Sequence, residues 1–309
     1  MTIIQLEYIV ALDTYRNFTT AASHCFVTQP TLSMQIKKLE EELNVTLFDR
    51  NQKPVAPTDI GQQIIEQARI SLQSLKKIDG LVHRHADDLS GTLRIGIIPT
   101  LSPYLLPRIL PSLAKKYPNL DLEIEELLSD QIIEKLHKDL LDVCIWVANR
   151  TESHLVNVSL FYERFLIYLP DGHPYREDSV ALDELDMKQM WLLREGHCFR
   201  DQVATFCGSL LETNHHANFL SGSLETLKKI VDQHYGFTLL PELAVFDLPQ
   251  EQQVNVRPFK NIQPLREVSL TYHQRFSKDK LVQALKAEIQ TNIPNELLDE
   301  ARGSVVHWQ

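Results

Sequence analysis

The feature that most constrains this chain is a change of texture near residue 90. Before it, apolar residues recur at helical spacing with little strand signal; after it, short β-type runs alternate with helical patterns. The polar break Asp87-Asp88-Leu89-Ser90-Gly91 separates the two regimes and reads as a domain boundary. At 309 residues the chain exceeds the size at which one core keeps growing, so two or three domains are expected.

The first regime begins with a helix over residues 3–15, carrying Ile4, Leu6, Ile9, Val10 and Leu12. A short helix over 19–25 follows, opened by Thr19 or Thr20. Next comes Val27-Thr28-Gln29-Pro30-Thr31-Leu32-Ser33, where Pro30 suits a first helical turn. Leu32, Ile36, Leu39 and Leu43 then recur at spacings of four, three and four, a core-facing stripe. Two helices joined by a short turn make a helix-turn-helix. The segments 45–50 and 55–58 read as short strands, and Asn51-Gln52-Lys53-Pro54 turns between them as a wing. A long helix from about Thr58 to His85 places Ile65, Ala68, Leu72, Leu75 and Val82 in a seam interrupted by Asp79. Such a seam fits a coiled-coil partner helix, or an amphipathic face packed on its own chain.

From Thr92 the order is strand (92–98), helix (103–116), strand (120–125), helix (129–137) and strand (142–147), an α/β pattern with a mostly parallel sheet. A second α/β half spans about Leu160 to Pro258; Leu270–His273 returns as a strand and Asp279–Thr291 as a helix. A chain that leaves one half, builds another and comes back makes two lobes with a cleft between them. Ligands in such folds bind at strand C-terminal ends and helix N-termini. Residues after Pro294 read as a poorly ordered tail.

Composition narrows the function classes. No apolar run approaches the ~20 residues of a membrane helix, and Met1–Glu7 has no charged leader or cleavage site, so a cytoplasmic protein is expected. The net charge of −10 argues against a broad basic surface; the first sixty residues hold only Arg16, Lys37, Lys38, Arg50 and Lys53 against seven acids. DNA binding would therefore rest on well-placed groups and dimerisation. The four cysteines, Cys25, Cys144, Cys198 and Cys207, include no CxxC and no zinc spacing, so free thiols, no metal and no cofactor are expected. No Gly-rich nucleotide loop or triad spacing appears, which argues against an enzyme.

Several segments carry a resemblance. Ala21-Ala22, Thr28-Gln29-Pro30-Thr31-Leu32-Ser33, Ile36, Lys38-Leu39-Glu40, Leu43, Leu47-Phe48-Asp49-Arg50 and the Thr58/Gly61 spacing resemble the LysR-type transcriptional regulators. The likeness covers nearly the whole chain. It implies a winged helix-turn-helix domain over 1–58 and a linker and dimerisation helix over 59–87. A two-lobed, periplasmic-binding-protein-like α/β regulatory domain follows over 91–294, its lobes formed by 91–161 with 268–294 and by 162–267; 295–309 is the tail. Closer likeness to the peroxide-sensing branch lies in 95–100, 103–107, Gly196-His197-Cys198-Phe199-Arg200-Asp201-Gln202, Phe206-Cys207, 223–227 and 236–241. Promoter DNA, hydrogen peroxide, RNA polymerase and a homodimer or homotetramer are the partners this implies.

At the DNA end, a recognition helix presents its first turns to base edges. Thr28, Gln29, Thr31, Ser33 and Arg50 are the candidates: Gln29 suits a bidentate pair with adenine, the hydroxyls suit phosphates, and Arg50 belongs to the wing. Ser and Thr there also fit plain helix capping. Cys25 and Cys144 read as buried small hydrophobes.

At the other end, Phe199, Val203, Phe206 and Leu210 form a helical stripe with Cys198 at its start. The helix dipole, Arg200 and His197 would lower the thiol pKa. On spacing alone, Cys198 and Cys207 read as two structural thiols. With the resemblance, Cys198 is the peroxidatic sensor and Cys207 the resolving thiol. A helix over 199–207 would hold their Cα atoms ~13 Å apart, whereas a disulfide needs roughly 4.4–6.8 Å. Bridging them requires unwinding. The resemblance further implies a peroxide pocket from Thr100, Ser129, His197 and Arg266. Ser129 stands where the family has threonine, and Asn218 where it has histidine, with His215 and His216 out of register. The remaining alternative is a regulator that binds a small inducer in the interlobe cleft.

Overall fold

The computed structural model describes residues 1–83, 89–148, 154–175, 177–208, 222–274, 276 and 279–307. The chain divides into two compact units, one made by Met1–Asp87 and one built from Asp88–Gln274 and Asp279–Gln309.

In the first unit, α1 (Ile3–Tyr15) opens with a capping box in which Thr2 and Gln5 satisfy each other's end groups. α2 (Phe18–His24) is capped not by Thr19 or Thr20 but by Asn17, whose Oδ1 accepts from both their N–H groups. An Asn side chain two residues before Thr19 reaches the same orphan donors. α3 (Gln29–Leu43) starts at the Thr28 cap with Pro30 in its first turn. Leu32, Ile36 and Leu39 are fully buried against Leu6, Ile9, Leu12, Ala21 and Ala22. Strands β1 (Phe48–Asp49) and β2 (Ala56–Pro57) pair antiparallel and form the wing.

α4 (Asp59–His83) begins where Thr58 donates to the Thr46 carbonyl and accepts from Gly61 N–H. A Cβ at Gly61 would lie 2.0 Å from the Leu47 carbonyl oxygen, so the backbone approaches there only as glycine. The seam expectation splits along this helix. Ile65 and Ala68 are buried in the core of their own unit, Leu72 is half-buried and Leu75 is exposed. The first part of the stripe is therefore an intramolecular face, because α1 packs against α4 and the buried pair Arg69–Asp13, at 2.9 Å, fastens them. The side chains of Asp79 and Val82 lie outside the described ones.

Among the described residues, the second unit is a nine-stranded mixed sheet with helices around it. β3 (Gly91–Ile97), α5 (Ser102–Lys116), β4 (Leu120–Glu126), α6 (Ser129–His137) and β5 (Val143–Trp146) build a parallel β4-β3-β5 set. β6 (Leu155–Tyr168) then runs the chain out of this half into the other. There β7 (Met190–Trp191), α7 (Cys198–Cys207), α8 (Leu224–Val231), β8 (Phe237–Pro241), α9 (Glu242–Val245), α10 (Gln250–Gln253) and β9 (Val256–Arg257) follow. β10 (Pro264–His273) brings the chain back, and α11 (Asp279–Thr291) packs on α5.

The sheet is more antiparallel than the α/β pattern predicts. β10 pairs antiparallel with both β5 and β6, because an outgoing strand and a returning one run in opposite directions. Their register slips between Val268 and Ser269, which pair with Phe161 and Ser159. Leu160 is the extra residue, a bulge of the kind that bends a strand. C-terminal to it, β6 pairs with β8 and β9.

The expectation of a disordered tail fails. After Pro294, two 3-10 turns (Asn295–Leu298 and Glu300–Arg302) lead into β11 (Ser304–Val305), which pairs parallel with β10 at Pro264 and Leu265. Leu297 is fully buried, and Arg302 and Arg164 both grip the buried Glu242 carboxylate. One apolar anchor and one charge clamp offset the chain entropy of these few residues. Read as sequence, the segment has too few apolar residues to reveal either.

Candidate functional site

Two sites are built from the residues singled out above, one in each unit. In the first, Thr28 and Gln29 are exposed at the start of α3, and Thr31 and Ser33 are half-buried. The Thr28 and Thr31 hydroxyls hydrogen-bond each other at 2.8 Å, so each still has capacity for an outside partner. Arg50 is less free than a wing residue is expected to be. Its guanidinium pairs with Glu40 at 3.0 Å, reaches Ser33 Oγ at 3.5 Å and stacks over Phe18 with 5.5 Å to the ring centre. Glu40 in turn accepts from the Leu47 and Phe48 N–H groups. Arg50 is thereby braced beside the recognition helix. Cys25, at the end of α2, is half-buried against the core.

In the second unit, Cys198 is the first residue of α7 and Ser129 the first of α6. Two helix N-termini thus converge on one narrow pocket, lined by Ile98, Pro99, Thr100, Leu128, Ser129, Gly196, His197 and Cys198. Gly196 has φ +90°, a left-handed turn that leads into His197 and α7. His197 is buried and its Nε2 has no hydrogen-bond partner among the described residues; Ser129 Oγ has no nitrogen or oxygen partner among them. Burial, then the Arg194 charge, hold the His197 pKa down, so its neutral form is favoured.

Thr100, Ser129 and His197 therefore stand with Cys198. Arg266 does not line the pocket; it lies behind Thr100, donating from Nη1 to Thr100 Oγ1 at 2.9 Å. The Cys198 thiol departs from expectation. It is 2% exposed, and burial pushes its pKa up, against downward pulls from Arg266 and the Ser129 hydroxyl. Arg200, expected to supply charge, instead donates to the Leu193 carbonyl at 2.9 Å. Desolvation wins because no adjacent cation faces the sulfur unopposed.

Cys207 closes α7, nine residues on, with its thiol pushed up to about 12 by burial. Both thiols are free, at opposite ends of one intact helix. Phe199 and Phe206 pack on Phe165 at 5.0 and 5.1 Å, which docks that helix on β6. Leu210, His215, His216, Asn218 and Phe219 lie outside the described residues. Two residues escaped sequence reasoning. Gln202, one turn beyond Cys198, is fully buried with neither amide atom partnered among the described residues; its i+4 spacing was the available signal. Glu163, the buried partner of Arg266, has no motif around it.

Comparison with known families decides what scaffold carries these sites. The model for the bacterial regulatory helix-turn-helix protein, lysR family, matches residues 3–62, and that for the LysR substrate binding domain matches residues 86–293. The chain belongs to the LysR family. A LysR-family relative named hydrogen peroxide-inducible genes activator, from Haemophilus influenzae, is 36% identical over 88% of this chain and 90% of its own. The DNA-binding transcriptional dual regulator OxyR of Escherichia coli is 35% identical over 94% and 96%. A full-length OxyR variant from Pseudomonas aeruginosa superposes with a TM-score of 0.79 at 34% identity, covering 95% of this chain and 99% of that one. Among the described residues of this LysR-family chain, no helix is long and apolar enough to cross a membrane.

Proposed function

We propose that this LysR-family chain is a peroxide-responsive transcription regulator, with Cys198 as the reacting thiol. One observation carries the reading. Cys198 shares a narrow pocket with two buried polar atoms, Ser129 Oγ and His197 Nε2, that have no nitrogen or oxygen partner among the described residues. Buried unpaired polar atoms are costly, and a small polar ligand able both to donate and to accept would satisfy them. Hydrogen peroxide has that size and capacity, whereas an inducer of metabolite size finds little room between these side chains. The names of the relatives point the same way.

The Cys198 thiolate attacks one peroxide oxygen. The O–O bond breaks, sulfur is oxidised to sulfenic acid, and the second oxygen leaves as hydroxide, which takes up a proton to become water. Ser129 and His197 hold the peroxide, Arg266 through Thr100 orders the back of the pocket, and Gln202 supports the sulfur's side of α7. The Cys207 thiol then attacks the sulfenic sulfur, forming the S–S bond and releasing water. Their positions on α7, ~13 Å apart, forbid this step until the helix unwinds. The step therefore replaces one packed arrangement by another, a two-state element suited to switching.

The output is binding of promoter DNA through Thr28, Gln29, Thr31, Ser33 and Arg50, as a homodimer or homotetramer in the cytoplasm, with RNA polymerase as the downstream partner. The exposed apolar residues Ile60, Ile70 and Leu75 on α4 support self-association. One oxidation per chain, rather than turnover with a reductant, distinguishes this regulator from a thiol peroxidase. The test is stoichiometric peroxide with mass mapping of all four cysteines, beside promoter binding. A Cys198–Cys207 disulfide and altered DNA binding, both lost in Cys198→Ser, are expected. A Cys198→Ser protein that still switches with peroxide overturns the reading.

A further inference from the structure

Behind the pocket, Glu163 on β6 and Arg266 on β10 face each other as register partners, and both are 0% exposed. Arg266 Nε donates to Glu163 Oε1 at 2.7 Å, and Nη2 meets the same oxygen at 2.6 Å. Glu163 Oε2 accepts from Leu243 N–H, in the first turn of α9, at 2.9 Å. On its other side the guanidinium holds Thr100, donating to its hydroxyl and to its carbonyl at 3.2 Å. Its plane lies 5.3 Å from the ring centre of Phe199, the residue after Cys198. Of five N–H groups, two go to Glu163 and two to Thr100, which leaves one on Nη1.

This arrangement has a physical consequence for the sulfur. A lone buried guanidinium near a thiol would favour the thiolate strongly, since charge acts over several ångströms in a poorly screened interior. Here it is paired with an equally buried carboxyl, whose pKa burial pushes up while Arg266 and the Leu243 N–H pull it down, so the cation acts on the sulfur beside a partner of opposite sign. The other groups that act on the Cys198 sulfur are the Ser129 hydroxyl from α6 and, on its own helix, Asp201 and the Phe199 N–H; the preceding His197 has Arg194 as its charged neighbour. Glu242, next to Glu163, is itself held by Arg164 and Arg302.

We propose that Glu163 is a positioning residue that sets the resting reactivity of Cys198. It fixes Arg266 against Thr100 and Phe199 and opposes that cation's pull on the sulfur. The proposal rests on Cys198 being the reacting thiol. Removing the charge while keeping an acceptor, as in Glu163→Gln, frees the Arg266 charge to act on the thiol.

The test follows iodoacetamide alkylation of Cys198 against pH in the full-length chain, read by mass spectrometry of the Cys198 peptide, with thermal melting in parallel. Glu163→Gln is expected to lower the alkylation midpoint by about one pH unit, roughly tenfold more thiolate below the midpoint. Glu163→Asp keeps the charge but cannot hold Leu243 N–H and the guanidinium together, so it moves the midpoint the same way by less; it decides the matter if Glu163→Gln does not fold. In an Arg266→Gln background, Glu163→Gln is expected to change nothing further. An unchanged or raised midpoint overturns the proposal, as does an equal drop without Arg266. Peroxide oxidation of the same peptide is timed alongside. If wild-type Cys198 resists peroxide, the sensor reading fails while the alkylation profile still decides the role of Glu163.

Discussion

If disulfide formation requires α7 to leave its docked position, weakening that docking must favour the oxidised form. Val203 isolates the effect. It is fully buried in the middle of α7, without contact to either sulfur's chemistry and without a polar atom. Val203→Ala removes two buried carbons, a loss of about 2 kcal/mol including the cavity. Alanine is the better helix former by about 0.5 kcal/mol, which offsets part of that loss. The net penalty on the reduced, docked arrangement is about 1.5 kcal/mol. An undocked segment does not suffer it, so the dithiol/disulfide potential falls by about 30 mV, at the two-electron conversion of 30 mV for 1.4 kcal/mol. The assay is equilibration against glutathione mixtures, acid quench, alkylation and mass quantification of the Cys198 and Cys207 peptides. A potential that stays put, or rises, in a folded Val203→Ala protein refutes the coupling between docking and oxidation.

Other outcomes follow from the same contacts. Leu297→Ala, emptying the fully buried anchor of the C-terminal segment, should cost about 2–5 kcal/mol and raise amide exchange at Ser304 and Val306, whose N–H groups donate to the Gln263 and Leu265 carbonyls, measured by mass spectrometry. The Glu242 carboxyl is raised by burial but pulled lower overall by Arg164 and Arg302, so its folded pKa lies below its unfolded one. Its contribution is complete above the ordinary carboxylate range of about 4.5 and is lost as pH falls through the depressed folded value. Glu242→Gln should therefore be less stable at neutral pH and lose less on acidification, read by urea midpoints between about pH 3 and 7. Gln29→Ala should weaken specific operator binding by about 1–3 kcal/mol and relax preference at one base pair, while leaving non-specific binding and its salt slope nearly unchanged. A uniform loss across sequences would reassign Gln29 to the backbone.

The local features were legible residue by residue. The Leu32, Ile36, Leu39 stripe, Pro30 after the Thr28 cap and the Thr58/Gly61 spacing each state a short-range requirement, and the structure meets them where the pattern puts them. Cys198 at the start of a helix was equally readable, since it precedes an apolar stripe; that stripe runs on to Leu210 in the sequence, whereas the helix closes at Cys207. What stayed hidden depends on partners distant in sequence. Ile65 and Ala68 face their own core rather than another chain because α1 lies there. The C-terminal segment is ordered because Leu297 is buried and Arg302 meets the Glu242 carboxylate, remote in the chain. The electrostatics of the thiol reversed for the same reason: dipole and neighbouring charges can be read from the chain, whereas desolvation cannot. Burial of Cys198 outweighs them, and Arg266, the cation that does pull its pKa down, is tied to Glu163 on the adjacent strand, 103 positions away in the chain. Helix periods and caps are properties of consecutive residues and were determined by the sequence alone. Solvation and ion pairing are properties of the folded interior, and only the tertiary structure decided them.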